Sequence, residues 1–367
     1  MVSFVRLFAL LLTLGVALAG GASAHEERKT HAGMVLAAVD NFVVPRVERV
    51  EKAATALANG VAALCADPAD ARNRATVVES FGEVVRAWGA IEFFRAGPVT
   101  QASRLERFHF WPDPRGTASR QLTEMLANRD SAKLLPAAFA TQSAAVQGLA
   151  ALEILLFNDR QTIIVKDDDA KFRCGFAQAI ATNLVAIGHD LSDGWTAPDG
   201  FRLRMLTPGS DNPVYKDASD TGRDIVKAIV TGLELTISFH AAPEIEAAAA
   251  TPPKSPRLPF ERSRLTSAYL EAELTSIEAL FNATGLIAFV PADKGWMETF
   301  IPNTFKEIAK DAAALEQARS AKPADAAARS AAAKKLKFDL GALRLIIVRE
   351  LAPAAELTLG FNELDGD

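Results

Sequence analysis

The sequence predicts an all-α protein built from two helical bundles. Apolar residues recur every three to four positions over most of the 367 residues, which is the period of an amphipathic helix. Alternation of the kind typical of strands is nearly absent. A hydrophobic fraction of 49% is enough for an extensive core, and the chain length fits two domains better than one.

Residues 1–24 have the composition of a secretory signal peptide. Arg6 is the only charged residue before the apolar stretch 7–19, and Ala22-Ser23-Ala24 ends it in a small-x-small pattern. This stretch is shorter than the ~20 residues that span a bilayer, and we predict no membrane span later in the chain. No cysteine lies near the cleavage point, so no lipid anchor is expected. We therefore expect a periplasmic protein.

The charge and the cysteine content limit which partners and which cellular compartment we expect. Loss of Arg6, the only charge in residues 1–24, changes the formal net charge from −5 to −6, and no basic face or tail suggests nucleic acid. The two cysteines, Cys65 and Cys174, could form one disulfide in an oxidising compartment, joining the end of the first long helix to a later one. Two free, buried thiols are the alternative.

The helices follow from the apolar pattern in chain order. A first helix is predicted from Gly33 to Leu64, and Pro45 inside it should kink or restart it. A second begins after Pro68 and should stop at Gly97-Pro98. Further helices are predicted at roughly 117–128, 131–157, 171–195, 220–240, 261–284, 298–318 and 323–350.

Segments that interrupt the helical pattern indicate a strand candidate, a loop and the division into domains. Thr162–Val165 is the one convincing strand candidate. Four prolines make 251–259 a loop, which lies inside the second of two predicted domains, 25–200 and 201–367. Each of three apolar helical runs carries a single glutamate, at Glu92, Glu153 and Glu278. This repetition is a weak sign that the two bundles arose by duplication.

Glu153 is the most informative residue, because its predicted helical neighbours are all apolar. They are Leu149, Ala150, Leu156 and Phe157, at i−4, i−3, i+3 and i+4. A buried carboxylate must find a partner elsewhere in the fold, bind a cation, or stay protonated with a raised pKa. Each outcome makes Glu153 a site candidate. The alternative is a purely structural ion pair between helices.

A second group of candidate residues lies between positions 88 and 116. Trp88, Glu92 and Arg95 would share one helix face, where Glu92 can pair with Arg95. The following segment is rich in aromatic and charged residues, namely Arg107, His109, Trp111 and Asp113. Such segments often line sites, and the alternative is a structural plug of packed aromatics. The standard zinc-helix, serine-elbow, phosphate-loop and paired-cysteine motifs are missing from the sequence.

The spacing of these residues resembles successive blocks of the imelysin family. The blocks are Trp88-x-x-x-Glu92-x-x-Arg95-x-Gly97-Pro98, then Arg107-x-x-x-Trp111-Pro112, then Gly148-x-x-x-x-Glu153. The resemblance implies a secreted or periplasmic all-helical protein of two bundle-like domains, with a site near their interface. It also implies an association with iron uptake, in a family first classed as metallopeptidases. The family hallmark is Gly-x-His-x-x-Glu, and here Ala150 stands at the histidine position.

We therefore expect a non-catalytic periplasmic protein that binds a small ligand or a metal ion at an interdomain site around Glu153. The expected ligand-binding residues are Trp88, Glu92, Arg95, Arg107, His109, Trp111, Asp113, Gly148 and Glu153. Glu153 and His109 would be the metal ligands, for iron or another divalent metal, with Glu153 paired to Arg95 or Arg107 if no metal binds. A metallopeptidase is one alternative, although a catalytic zinc needs three protein ligands. A cell-envelope scaffold that contacts a partner protein is another.

Overall fold

In a computed structural model of the chain, residues 30–157, 168–322 and 325–359 are described, and they contain helices and no strand. The predicted all-α class is therefore confirmed. The expected signal peptide (1–24) and the strand candidate Thr162–Val165 lie outside the described residues, as do residues 360–367.

The described ranges contain fifteen α-helices. They are α1 (His31–Ala38), α2 (Val44–Ala66), α3 (Ala71–Gly89), α4 (Arg104–Phe108), α5 (Thr117–Asn128), α6 (Pro136–Phe139), α7 (Leu149–Phe157), α8 (Asp168–Thr196), α9 (Phe201–Leu206), α10 (Ala218–Thr236), α11 (Ala242–Ala249), α12 (Thr266–Thr284), α13 (Met297–Ser320), α14 (Ala326–Ile346) and α15 (Ala352–Ala354). Short 3₁₀ turns connect several of them, at Gly97–Thr100, Ser131–Leu134, Ala144–Val146, Leu286–Phe289 and Ala292–Lys294.

Aspartates begin three of the long helices. Asp70 accepts a hydrogen bond from the backbone amide of Arg72 at the start of α3. Asp217 caps α10 in the same way, and the Asp220 side chain accepts a bond from the Asp217 amide in return. Asp325 accepts from two amides at the start of α14. Each cap satisfies amides that the first helical turn leaves without a partner.

Proline interrupts three helices in the same manner. Each of the three π-helical turns, Val39–Val43, Ile237–Ala241 and Ile347–Leu351, is followed two residues later by a proline. Proline lacks an amide hydrogen, and its ring clashes with the carbonyl four residues back. A wider turn before the proline removes that clash and lets the helix continue. The interruption predicted at Pro45 is the first of these turns.

The helices pack in two groups, and helices of one group also contact helices of the other. In the first group, α2 packs along both α3 and α8, and a disulfide joins Cys65 at the end of α2 to Cys174 in α8, with Cα atoms 5.6 Å apart. In the second group, α14 packs against α13 and α11, and α10 packs against α12.

The two groups are continuous with each other. Helix α1 packs on α10 and α12 of the second group, and α3 also packs on α12. The described buried side chains form one apolar cluster that extends from Met34 to Leu357. The domain boundary at residue 200 and the duplication remain predictions.

Two predicted helix ranges were wrong, and one helix was missed. Helix α3 ends at Gly89, and residues 90–93 form a turn in place of a continued helix up to Gly97. The predicted helix 131–157 is divided into short pieces, because Pro136 starts a new helix and the backbone turns again before α7. Helix α9 was not predicted.

One long segment, Ala218–Ala249, has the length and composition to cross a membrane. It comprises α10, a π-turn and α11, and 72% of its most apolar window is buried inside the protein. A core helix of a soluble bundle meets the same criterion. The absence of a membrane span therefore stays a prediction.

Candidate functional site

Glu153 lies in the middle of α7, and its side chain is 4% exposed. Its partner is Ser263, which follows the proline-rich loop. The Ser263 amide donates to Oε1 of Glu153 at 2.8 Å, and the Ser263 hydroxyl donates to the same oxygen at 2.7 Å. Burial raises the pKa of Glu153, and the two Ser263 bonds and the nearby Arg262 and His109 only partly offset this effect.

The expected partners of Glu153 were wrong. Arg107 donates to Oε1 of Gln147 at 2.8 Å and to Oδ1 of Asn183 at 3.0 Å, so it ties α4 to the start of α7 and to α8. Arg95 forms no ion pair with Glu153 in the described part of the chain. Since 110 residues separate Ser263 from Glu153, helix spacing alone could not identify it.

Gly148 has a packing role beneath this site. A Cβ atom on Gly148 would lie 2.4 Å from the carbonyl oxygen of Phe108 and 2.6 Å from that of Arg107. No side chain fits at such distances, so glycine lets the start of α7 touch the backbone of α4. The residue following that contact is His109. Gly148 therefore determines how close His109 and Glu153 can lie.

A cavity of about 240 Å³ lies beside Glu153. Aromatic rings and charged groups share its walls, which are formed by His109, Phe110, Trp111, Asp113, Gly116, Ala118, Ser119, Ala150, Glu153, Ile154, Arg257, Leu258, Phe260, Glu261 and Arg262. The methyl group of Ala150 is thus on the same wall as Glu153, as expected for residues three apart on a helix.

His109 lines the same cavity and is itself 5% exposed. Its Nδ1 lies 3.4 Å from Oε2 of Glu92. Its ring stacks on Phe260 at a centroid distance of 4.6 Å and lies nearly parallel to Trp111 at 6.3 Å. These contacts hold the imidazole in one orientation between two aromatic planes.

Asp113 caps a helix and is less available to a ligand. Its Oδ1 accepts from the Thr117 amide at 2.8 Å, and its Oδ2 accepts from the Ala118 amide at 2.9 Å. Both oxygens therefore satisfy the free amides at the start of α5. Sequence spacing could not distinguish this cap from a ligand.

A layer of buried polar side chains lies behind His109. His240 and Glu273 are both at most 1% exposed, and Nε2 of His240 lies 2.8 Å from Oε2 of Glu273. Burial lowers the pKa of His240 well below its usual value, helped by Arg319. Burial and the charge of Glu92 raise the pKa of Glu273 well above its usual value. Both shifts favour the uncharged forms of the two groups over an ion pair.

Tyr269 connects this layer to the cavity. Its ring lies 5.8 Å from that of His109 and 5.6 Å from that of His240. Burial and the charge of Glu92 raise the pKa of the Tyr269 hydroxyl well above its usual value. The polar layer thus leads from the cavity wall into the second helical group.

Some of the predicted site residues line the cavity, and others do not reach it. His109, Trp111, Asp113 and Glu153 line the cavity. Trp88 is fully buried and stacks on Phe108 at 4.2 Å. Trp88, Glu92 and Arg95 do not share one helix face, because α3 ends before Glu92. Within the described chain the partner of Glu92 is His109, and no ion pair links Glu92 to Arg95.

Sequence reasoning missed the wall formed by residues 257–263. This segment contributes Arg257, Phe260, Glu261 and Arg262 to the cavity and Ser263 to Glu153. The one available signal was a dense run of charged and aromatic residues directly after the prolines, Phe260-Glu261-Arg262-Ser263. A larger cavity of about 550 Å³ shares Trp111, Asp113 and Arg257 with the first and continues along the proline-rich loop.

The described residues do not provide a complete metal site. Among them no group of three or more His, Cys, Asp or Glu side chains is placed to hold an ion. His109, Glu153 and Glu261 line the cavity, and both oxygens of the remaining acidic lining residue, Asp113, accept hydrogen bonds from backbone amides. The donor set does not fit a zinc centre, which takes at least three protein ligands.

The fold and the site define an all-helical protein with a polar cavity where its two helical groups meet. The model of the imelysin family, peptidase M75, matches residues 43–344, and the chain belongs to this family. Among curated proteins, none matches the sequence.

The fold recurs in solved structures of other proteins. An imelysin-like protein from Psychrobacter arcticum 273-4 is 18% identical with a TM-score of 0.71, over 92% of this chain and 98% of that one. An iron-regulated protein A precursor from Parabacteroides distasonis ATCC 8503 is 14% identical with a TM-score of 0.61, over 87% and 95% of the respective chains.

Proposed function

We propose that this protein is a non-catalytic periplasmic binding protein that holds a small polar ligand in the cavity beside Glu153. The observation that carries the proposal is a buried carboxyl group beside an oriented imidazole on one wall of a cavity. Oε1 of Glu153 accepts both Ser263 bonds, so Oε2 takes no part in them. Arg257 and Arg262 add positive charge, and Trp111 and Phe260 add flat apolar surface.

The ligand chemistry follows from these groups. A molecule with anionic oxygens would be bound by the two guanidinium groups, and hydrogen-bonding groups on it would meet Glu153 and His109. The adjoining cavity beyond Trp111 gives room for a ligand that is too long for the first cavity alone.

We place this binding in iron acquisition. The Parabacteroides distasonis relative in fold is named as an iron-regulated protein A precursor, and this name supports the association. Because no three His, Cys, Asp or Glu side chains of the described residues are placed to hold an ion together, iron would have to enter with oxygen ligands of its own, as an anionic chelate. The disulfide between Cys65 and Cys174 supports an oxidising compartment.

The test is direct binding to the mature protein. Ferric citrate, citrate alone and Zn²⁺ would each be titrated calorimetrically, and bound metal counted by elemental mass spectrometry. We expect ferric citrate to bind at one site per chain, Glu153→Gln to weaken it, and the exposed control Glu106→Gln to leave it unchanged. Equal binding by wild type and Glu153→Gln would reject the cavity as the site.

The same variants distinguish the two alternative functions. A metallopeptidase would cleave peptides in a reaction that chelators abolish and zinc restores. A scaffold would bind none of the three probes, and Glu153→Ala would change only the free energy of unfolding.

A further inference from the structure

A cavity of about 380 Å³ lies between α12 and α13 and shares no lining residue with the Glu153 cavity. It is a groove that follows both helices, lined by Ser267, Leu270, Glu271, Leu274, Thr275 and Glu278 of α12 and by Phe305, Ile308, Ala309, Ala312, Ala313 and Glu316 of α13. From Ser267 to Glu278 the helix rises about 16 Å, at 1.5 Å per residue.

The floor of this groove is apolar and its rim is acidic. Leu270, Phe305 and Ile308 are buried at the bottom. Glu271 and Glu278 stand on one side and Glu316 on the other, and no Lys, Arg or His is among the lining residues. The Ser267 hydroxyl donates to Glu316, so a hydrogen bond bridges the two helices at one end of the groove. Three small alanines of α13 leave the middle open to a large side chain.

The outer face of α14 has the opposite character. Phe338 is 73% exposed, the highest value among the exposed large hydrophobic side chains of the described chain, and Leu345 is 43% exposed. Their spacing of seven places them on one stripe of the helix, and Lys334, four residues before Phe338, extends it. Lys337 is exposed beside it. From Lys334 to Leu345 the stripe also rises about 16 Å.

We propose that the α12–α13 groove binds the outer face of α14 from a second copy of this chain. Phe338 and Leu345 would insert over the apolar floor, and Lys334 and Lys337 would meet the glutamates of the rim. The two surfaces match in length, in apolar content and in the sign of their charge. The groove would cover the exposed ring of Phe338, and the α14 face would fill the groove.

The contact joins two different surfaces, so each copy can both give a helix and receive one. Both α14 and the groove belong to the second helical group, since α13 packs against α14 and also forms one wall of the groove. Two copies could therefore exchange the contact reciprocally and close as a dimer. One helix face buries less surface than a permanent dimer needs, so we expect weak, concentration-dependent association that salt reduces further.

Sedimentation velocity of the full mature chain from about 1 μM to about 1 mM tests the association, a range suited to a small interface. We expect the mean mass to rise toward that of two chains. Phe338→Ala should weaken association by about tenfold or more, which is the effect of losing one central aromatic contact. Leu135→Ala, which truncates another exposed apolar side chain, is the matched control and should behave as wild type.

Mixing two variants tests the pairing of the surfaces. Phe338→Ala keeps the groove, and Ala312→Phe fills the groove but keeps Phe338. Each alone should associate about tenfold or more weakly than wild type, and an equimolar mixture should recover part of the association through the one intact pair. The double variant Glu271→Gln/Glu278→Gln provides a second groove change with little steric effect and should also weaken association. A wild-type chain that stays monomeric throughout, or a Phe338→Ala chain that associates as wild type does, overturns the proposal. Neither result bears on ligand binding at Glu153.

Discussion

Both hydrogen-bond donors of Ser263 converge on a single oxygen of Glu153, at 2.8 and 2.7 Å. Ser263 lies four residues after the end of the proline-rich loop, whereas Glu153 lies in the centre of an apolar helix. The segment that follows the loop therefore holds the one charged side chain of α7 in place. Through this contact, residues from both helical groups form the cavity.

The buried state of Glu153 predicts a pH-dependent stability. Because burial raises its pKa above 4.5, the folded protein binds more protons than the unfolded chain between pH 4.5 and the folded pKa. The contribution of Glu153 to the free energy of unfolding is then full below pH 4.5 and is lost as the pH rises through the folded pKa. Urea denaturation of wild type and Glu153→Gln across this interval measures the difference. Parallel pH curves for the two proteins would contradict it.

Gly148→Ala should destabilise the protein, because its Cβ would collide with the backbone of α4 at 2.4 Å. We expect a loss of about 1–3 kcal/mol in the free energy of unfolding, typical of overpacking. Gly341→Ala is the matched control, since its Cβ meets nothing within 4 Å and alanine favours a helix by about 0.5–1 kcal/mol. Chemical denaturation should therefore shift in opposite directions for the two variants.

Ala150→His should create a metal site. The new imidazole would lie three residues before Glu153 on the same cavity wall, and His109 is already there. These three side chains reach the number that a zinc site requires. Elemental analysis after zinc loading should find about one zinc per chain, a count set by the single three-ligand group. The double variant Ala150→His/Glu153→Gln should lose that metal, and its retention would place the ion elsewhere.

Glu273→Gln should be tolerated, because the pKa shifts of Glu273 and His240 both favour an uncharged pair. A glutamine amide can donate to Nε2 of His240 as the protonated acid does, so we expect a change within about 1 kcal/mol. Glu273→Ala leaves the imidazole nitrogen buried without its partner and should cost about 1–3 kcal/mol. Thermal or urea unfolding at neutral pH distinguishes these values. A cost of about 3–5 kcal/mol for glutamine would instead indicate a broken ion pair.

Reduction of the disulfide should lower stability substantially. Cys65 and Cys174 are 109 residues apart, so the bond closes a long loop and removes much of the freedom of the unfolded chain. We expect the urea midpoint to fall by the equivalent of about 2–5 kcal/mol on addition of reductant. The double variant Cys65→Ser/Cys174→Ser should start at the lower midpoint and show no response to reductant.

The helices that the sequence predicts well are those with an uninterrupted apolar stripe. The range 117–128 coincides with Thr117–Asn128, and 298–318 lies within Met297–Ser320. The range 131–157 failed because periodicity continues across residues whose backbone turns away, as at Pro136. Apolar spacing reports which residues are buried, and it does not show whether one helix or several short ones bury them.

The candidate site was only half predictable for a related reason. Glu153 and His109 stand out by their own local chemistry, since each is a polar group among apolar or aromatic neighbours. Ser263 and Arg262 lie in a charged and aromatic run, but that run does not indicate its partner, because Ser263 reaches Glu153 across 110 residues. Asp113 had a local signature, but its oxygens serve the start of α5.

Helix α1 depends on later parts of the chain for its native contacts. It packs on α10 and α12, and His31 Nε2 lies 2.6 Å from the carbonyl oxygen of Ala355, near the end of the described chain. The apolar face of α1 is thus covered only by helices that lie far later in the chain, and His31 meets its partner 324 positions further on. Helix α1 therefore reaches its native contacts only after the second helical group has been synthesised, which makes these contacts slow to form.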